Sequence, residues 1–314
     1  MEKIRFILLL SVICCASELF GQCCGAGNPI SASNIDQNLS KKHLQIMLDY
    51  RHSESNRYYE GSVISDFDFP GKLRNAKYDF LNLGIGYGIT KFLTIQAQIG
   101  YYLRKSEDFE NAIFPDARAS GIGDLALSVS HSVYRNAQKG IDLTPFVMAK
   151  FPIGKFDCEN QGVKLPISMQ PSSGSYKYAG GLSFYSNLSK RWYLTFYGLY
   201  EYAQRIKSNN FDYQYGGLIY LNVAAFYELP KYFSFGCQVG YEYQSRARSG
   251  NEVLFGTAYH MLKLTPQILC KISRQWRVSC SADIPMWRYV EGVQMSNKWA
   301  INAKIMYDIS LIKR

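Results

Sequence analysis

Residues 301–311 read Ile-Asn-Ala-Lys-Ile-Met-Tyr-Asp-Ile-Ser-Leu, so that Ile301, Ala303, Ile305, Tyr307, Ile309 and Leu311 alternate with Asn302, Lys304, Met306, Asp308 and Ser310. In an extended chain successive side chains point to opposite faces, which makes this stretch a strand with one greasy side and one wet side. The alternation returns in Leu93, Ile95, Ala97, Ile99 and Tyr101 against Thr94, Gln96, Gln98 and Gly100. It returns again in Phe233, Phe235, Cys237, Val239 and Tyr241 against Ser234, Gly236, Gln238, Gly240 and Glu242. From residue 43 to residue 311 the chain divides into about twelve such segments of about 10 to 14 residues, none with a sustained helical period. A sandwich of half-solvated antiparallel sheets shows the same pattern.

The connections separate the two folds. Tight turns at residues 90–91, 136–140, 189–191, 230–231 and 273–274 alternate with long stretches at 54–77, 106–120, 155–174 and 205–213. That rhythm predicts an all-β fold, a transmembrane antiparallel up-and-down β-barrel of about 12 strands, with short turns on the periplasmic side and long loops outside. An even strand number puts both termini in the periplasm. With odd-numbered strands running outward, lipid-facing Tyr87, Trp192, Tyr227, Phe233, Trp276 and Tyr307 gather at the turn ends. Tyr50, Tyr101, Phe151, Tyr200, Tyr202, Tyr241, Tyr243 and Trp299 gather at the loop ends, as two aromatic girdles require. Pro145, Pro152, Pro266 and Pro285 fall inside expected strands and demand bulges or strand ends.

The N-terminus sets the compartment. Lys3 and Arg5 precede an apolar run, residues 6–16, too short to span a bilayer as a helix, and the stretch reads as a secretory signal, residues 1–21. A polar periplasmic tether, 22–42, and the barrel, 43–314, follow. The 314 residues are 47% hydrophobic, which excludes disorder, and 15% aromatic with only 19% charged. The formal charge of +10 is scattered without a Lys/Arg-rich run, so no nucleic acid partner is expected. The expected partners are the lipid bilayer, the outer-membrane insertion machinery and a small-molecule solute.

Three passages carry a family resemblance: Ser120-Gly121-Ile122-Gly123-Asp124-Leu125; Phe151-Pro152-Ile153-Gly154-Lys155-Phe156-Asp157; and Asn56-Arg57-Tyr58-Tyr59-Glu60-Gly61 within 51–61, with Gln170-Pro171-Ser172-Ser173-Gly174 as a later loop motif. They resemble the outer-membrane barrels named for the meta-pathway of phenol degradation. Ile153 stands where that family has threonine, and Tyr58 where it has histidine. The resemblance implies a porin-like channel, without a defined substrate.

On the wet face, Asp49, Arg51, Arg104, Asp124, Lys150, Glu201, Glu242, Lys263 and Asp283 fall toward the loop ends of their strands. They are the candidate lumen or eyelet residues, with Arg104 and Asp124 flanking one loop. A salt-bridge network filling a narrow barrel is the other reading of the same residues. Gly84, Gly86 and Gly88 leave lumen room or allow curvature, since no helix follows them and no phosphate-loop lysine appears. Cys237, Cys270 and Cys280 alternate onto the lipid face. Cys23 and Cys24 are weak metal candidates without a nearby histidine, so no cofactor is expected. Among His43, His52, His131 and His260, the candidate Ser130-His131-Ser132 points its neighbours to opposite faces, and His52 with Asp49 makes a rim pair at best. No catalysis is expected. A pore for small solutes, hydrophobic or aromatic ones included, leads; a non-conducting barrel acting as adhesin or scaffold through its loops is the alternative.

Overall fold

A computed structural model describes residues 38–311 apart from residues 70, 111–114, 161 and 209–210. The signal segment, most of the tether, Cys23 and Cys24 lie outside the described residues. Among the described residues, twelve antiparallel strands close on themselves: β1 His43–Ser55, β2 Leu73–Gly88, β3 Leu93–Phe109, β4 Ala117–His131, β5 Ile141–Phe151, β6 Lys177–Asn187, β7 Trp192–Ala203, β8 Leu218–Glu228, β9 Phe233–Gln244, β10 Tyr259–Lys271, β11 Trp276–Ser296 and β12 Trp299–Ser310. Each pairs with the next, and β1 pairs with β12 from His43↔Ser310 to Glu54↔Trp299. Closure leaves no unpaired edge, the condition for strands to sit in hydrocarbon.

The quoted strand shows why the sheet curls as it does. Met306 and Asp308 are buried, whereas Ile301 and Ile305 are 43% exposed. Around the barrel, Leu83, Ile85, Ile95, Leu127, Val129, Val147, Leu221, Val223 and Ile268 likewise face out. A contiguous apolar surface of this extent is the kind that lipid covers. At the turn end Trp276 packs on Tyr307 at 4.5 Å and Trp192 on Tyr227 at 5.0 Å. At the loop end Tyr101, Tyr200 and Tyr202 stand exposed. The free thiols of Cys237 and Cys280 lie on the outer face.

Several strands outrun the expected 10 to 14 residues: β2 has 16, β3 has 17, β4 has 15 and β11 has 21. Their extensions rise at the loop end and enclose a second core of Tyr58, Leu73, Ala76, Tyr78, Ala117, Leu165, Met169 and Met295. The prolines sit where ladders break. The β10–β11 pairing skips from Leu264↔Ile284 to Gln267↔Ser281 around Pro266, and a bulge after Leu262 leaves Met286 unopposed beside Pro285. Pro152 follows the last residue of β5.

Candidate functional site

Three of the inward acids meet three inward bases. Arg51 Nη1 lies 2.6 Å from Asp283, which also accepts Thr265 Oγ1 at 2.8 Å. Lys263 Nζ lies 2.7 Å from Glu242, to which Tyr259 OH also donates. Lys150 Nζ lies 2.7 Å from Glu201, with Lys177 at 3.7 Å. Glu201, Glu242 and Asp283 are buried. Lys263 and Glu242 sit on neighbouring strands, whereas Arg51–Asp283 and Lys150–Glu201 each reach across one intervening strand, so the charges are paired with one another along the inner face, the geometry of the network reading. Asp49 stands opposite Lys304, with one buried carboxylate oxygen lacking a hydrogen-bond partner.

Arg104 departs from expectation. The β2–β3 register runs Asp79↔Arg104 and then Phe80↔Tyr102, so Leu103 is an extra residue. A bulge of one residue reverses the parity of everything beyond it. Lys105 thus turns inward, buried, with Nζ on the carbonyl of Gln170 at 2.9 Å. Arg104 turns to the outer face, its Nε 2.7 Å from Asp79, which also holds Tyr50 OH at 2.7 Å and His52 Nδ1 at 2.6 Å. His52 therefore pairs with Asp79 and not with Asp49. Alternation alone misses this cluster, because nothing in Tyr101-Tyr102-Leu103-Arg104 marks the bulge.

Asp124 does not face Arg104 either. Its carboxylate accepts Ser172 Oγ at 2.7 Å, Ser173 Oγ at 2.5 Å and the Ser173 amide at 3.0 Å. The β4–β5 ladder begins only at Leu125↔Phe151, so the outer half of β4 is left to receive loop 152–176. Gly154 comes so close to β4 that a Cβ would lie 1.7 Å from the Ile122 carbonyl, and Gly121 faces Pro171. Gln170 binds the main chain of Cys158 and Leu165. The glycine-aspartate motif, the proline-glycine motif and the Gln170–Gly174 motif thus form one knot, which folds the loop over the barrel mouth.

Below the knot the lumen has two unlike walls. On β5, β7 and β8, Phe146 stacks on Tyr197 at 5.1 Å, Tyr193 stacks on Phe226 at 4.7 Å, and Tyr220 continues the row. These rings lie flat because the facing residues are glycines: a Cβ at Gly181 would come 2.3 Å from Phe146, and one at Gly236 2.2 Å from Phe226. Opposite stand Lys271, Arg277 and Lys304, with Lys271 Nζ 2.8 Å from Glu228 and Arg277 Nε 3.0 Å from Asp308, so this wall is one of paired charges. Between the walls lies a cavity of about 420 Å³, with Asn38 at its turn end. Leu39 is buried, its amide on Thr94 Oγ1 at 2.9 Å, and Asn38 Nδ2 donates to Asp142 at 2.5 Å, so these two residues before β1 sit at the turn end of the lumen. Charge counting overlooks the aromatic wall, although the inward parity of Tyr193, Tyr197, Tyr220 and Phe226 carried the signal.

No family model matches the chain, and no curated protein matches it. Among solved structures, the COG4313 outer membrane channel from Pseudomonas putida F1 is similar at 14% identity with a TM-score of 0.72, over 87% of this chain and 98% of that one. A FadL homologue from Pseudomonas aeruginosa is similar at 8% identity and TM-score 0.47, over 91% of this chain and 96% of that one. The first likeness shows the fold, a closed antiparallel β-barrel.

Proposed function

We propose that the chain is a narrow channel of the outer membrane that passes small solutes, with the long loops outside, both termini in the periplasm, and a preference for compact aromatic solutes. The observation that carries this is the cavity whose stacked wall of Tyr193, Tyr197 and Phe226 faces Lys271, Arg277 and Lys304. Flat rings offer stacking partners, while the ion-paired polar wall opposite offers hydrogen-bonding groups to a polar substituent. The three paired charges set the calibre of the wall rather than a ring of free charge, and the knotted loop narrows the mouth. Only Asp49, Arg51, Lys150, Glu201, Glu242, Lys263 and Asp283 of the nine candidates belong to the bore. Resemblance to the phenol meta-pathway barrels, carried by the motifs of the knot, supports a channel and defines no substrate.

The test is single-channel conductance of refolded protein in a planar bilayer, followed by liposome swelling with benzoate and hexanoate. Current steps, with benzoate entering several-fold faster, are expected. A folded barrel that passes neither solute overturns the channel reading and leaves the loop-presenting scaffold; equal rates overturn the aromatic preference.

A further inference from the structure

A second cavity, about 500 Å³, opens on the outer side of the wall at the loop end. Tyr243 of β9, His260 of β10 and Tyr289 of β11 line it. Each alternates with a buried inward neighbour, Glu242, Tyr259 and Val290, so the three face away from the lumen. They belong to the upper aromatic girdle, at the depth of lipid headgroups. His260 is seated between rings, 4.6 Å from Tyr243 and 6.1 Å from Tyr289, and its Nδ1 lies 2.7 Å from Tyr241 OH.

Two guanidiniums reach the same cavity from the overhanging loop, where Arg248–Ser249 pairs with Glu252–Val253. Arg246 is braced by Phe255 at 5.8 Å and by Glu291, which takes its Nε at 2.7 Å. Glu291 is itself fixed by the Gly256 amide at 3.1 Å. The Nη1 edge of Arg246 has no protein partner among the described residues, and Arg248 has no ion pair among them. Two guanidiniums against one carboxylate leave the cavity positive. On the same strand below it, Trp287, Met286 and Ile284 present exposed apolar side chains to the bilayer. A positive headgroup pocket with tyrosine faces above an apolar strip is complementary to one kind of molecule, an anionic amphiphile lying against the barrel.

We infer that this cavity is a binding site for a phosphate-bearing glycolipid headgroup of the outer leaflet. Arg246 and Arg248 hold the phosphate, Tyr243 and Tyr289 face the sugar, and Trp287 and Met286 flank the acyl chains. The inference rests on the loop end facing outward, and it needs no solute to pass through the lumen.

Native mass spectrometry of the full-length refolded barrel tests it, with diphosphorylated lipid A, its dephosphorylated form and inorganic phosphate as probes. Diphosphorylated lipid A is expected to form a retained one-to-one adduct, weakened about tenfold by dephosphorylation and about tenfold by Arg248→Ala, as for loss of a charge-assisted contact. Arg248→Lys should restore part of it. Arg246→Ala should weaken it further, and a heat-modifiability gel confirms that each variant is folded. Equal binding of the two lipids, or an adduct unaffected by both substitutions, overturns the proposal. Competition by millimolar inorganic phosphate would identify the site as one for free anions and overturn the lipid assignment. Because the measurement reads no flux, a non-conducting barrel that keeps the adduct refutes the channel alone.

Discussion

Asp124 is the carboxylate on which the mouth depends. Three donors from Ser172 and Ser173 converge on it. Asp124→Ala is expected to release loop 152–176 and raise single-channel conductance, whereas Arg104→Ala, on the outer face, is expected to leave it unchanged. The reverse pattern would mean that the mouth is set elsewhere. Gly181 makes a similar argument for the bore. A valine there must displace both Phe146 and the Gly198 carbonyl, each 2.3 Å from its Cβ, so Gly181→Val is expected to lower conductance and cost about 1–3 kcal/mol in urea unfolding, as overpacked sites do.

Among elements, the buried pair joining β9 and β10 carries the clearest energetic consequence. Removing one partner strands a charge in the wall, so Glu242→Ala is expected to cost about 3–5 kcal/mol of unfolding free energy in lipid vesicles. Glu242→Gln combined with Lys263→Met should recover most of that loss; no recovery would show that the pair is not the reason. The hairpin of Ile206–Ser208 and Phe211–Gln214 behaves differently because its ion pair, Arg205 with Asp212, is only half-buried. Arg205 binds both carboxylate oxygens of Asp212, and this hydrogen bonding holds the Asp212 carboxyl below its ordinary value of 3.8. A depressed carboxyl stabilises the hairpin above its unfolded value and stops doing so as pH falls through the lowered one. The hairpin should therefore be indifferent to pH between 5 and 8 and loosen only below about 4. Pepsin at pH 3 should cut it faster than an equivalent loop, and Asp212→Asn should make it trypsin-sensitive at neutral pH; resistance in both would dismiss the pair.

The strands were legible because period-two alternation and the rhythm of turn lengths are properties of neighbouring residues. The aromatic girdles followed from one choice of strand direction. What escaped was non-local. The extra residue at Leu103 reversed one strand's parity and sent Arg104 outward. The knot joined motifs some fifty residues apart, from Asp124 to Ser173. The stacked wall needed the positions of glycines on adjacent strands, which no single strand reveals.

For the molecule as a whole, the two unlike walls make selectivity a matter of geometry. Replacing Tyr193 and Phe226 by leucine is expected to remove the benzoate advantage in liposome swelling while leaving small inorganic ion currents within about twofold, since stacking rather than charge is lost. A fall of both together would point to a general collapse of the bore. The closing seam reaches beyond transport to assembly. His43 of the first strand meets Ser310 of the last, so the opening strand cannot find its final partner until almost the whole chain has been delivered. Every partial product carries two raw edges into its surroundings. Maturation of this barrel therefore ends in a single late commitment, and a chain shortened by its last strand should be cleared rather than kept as a smaller pore.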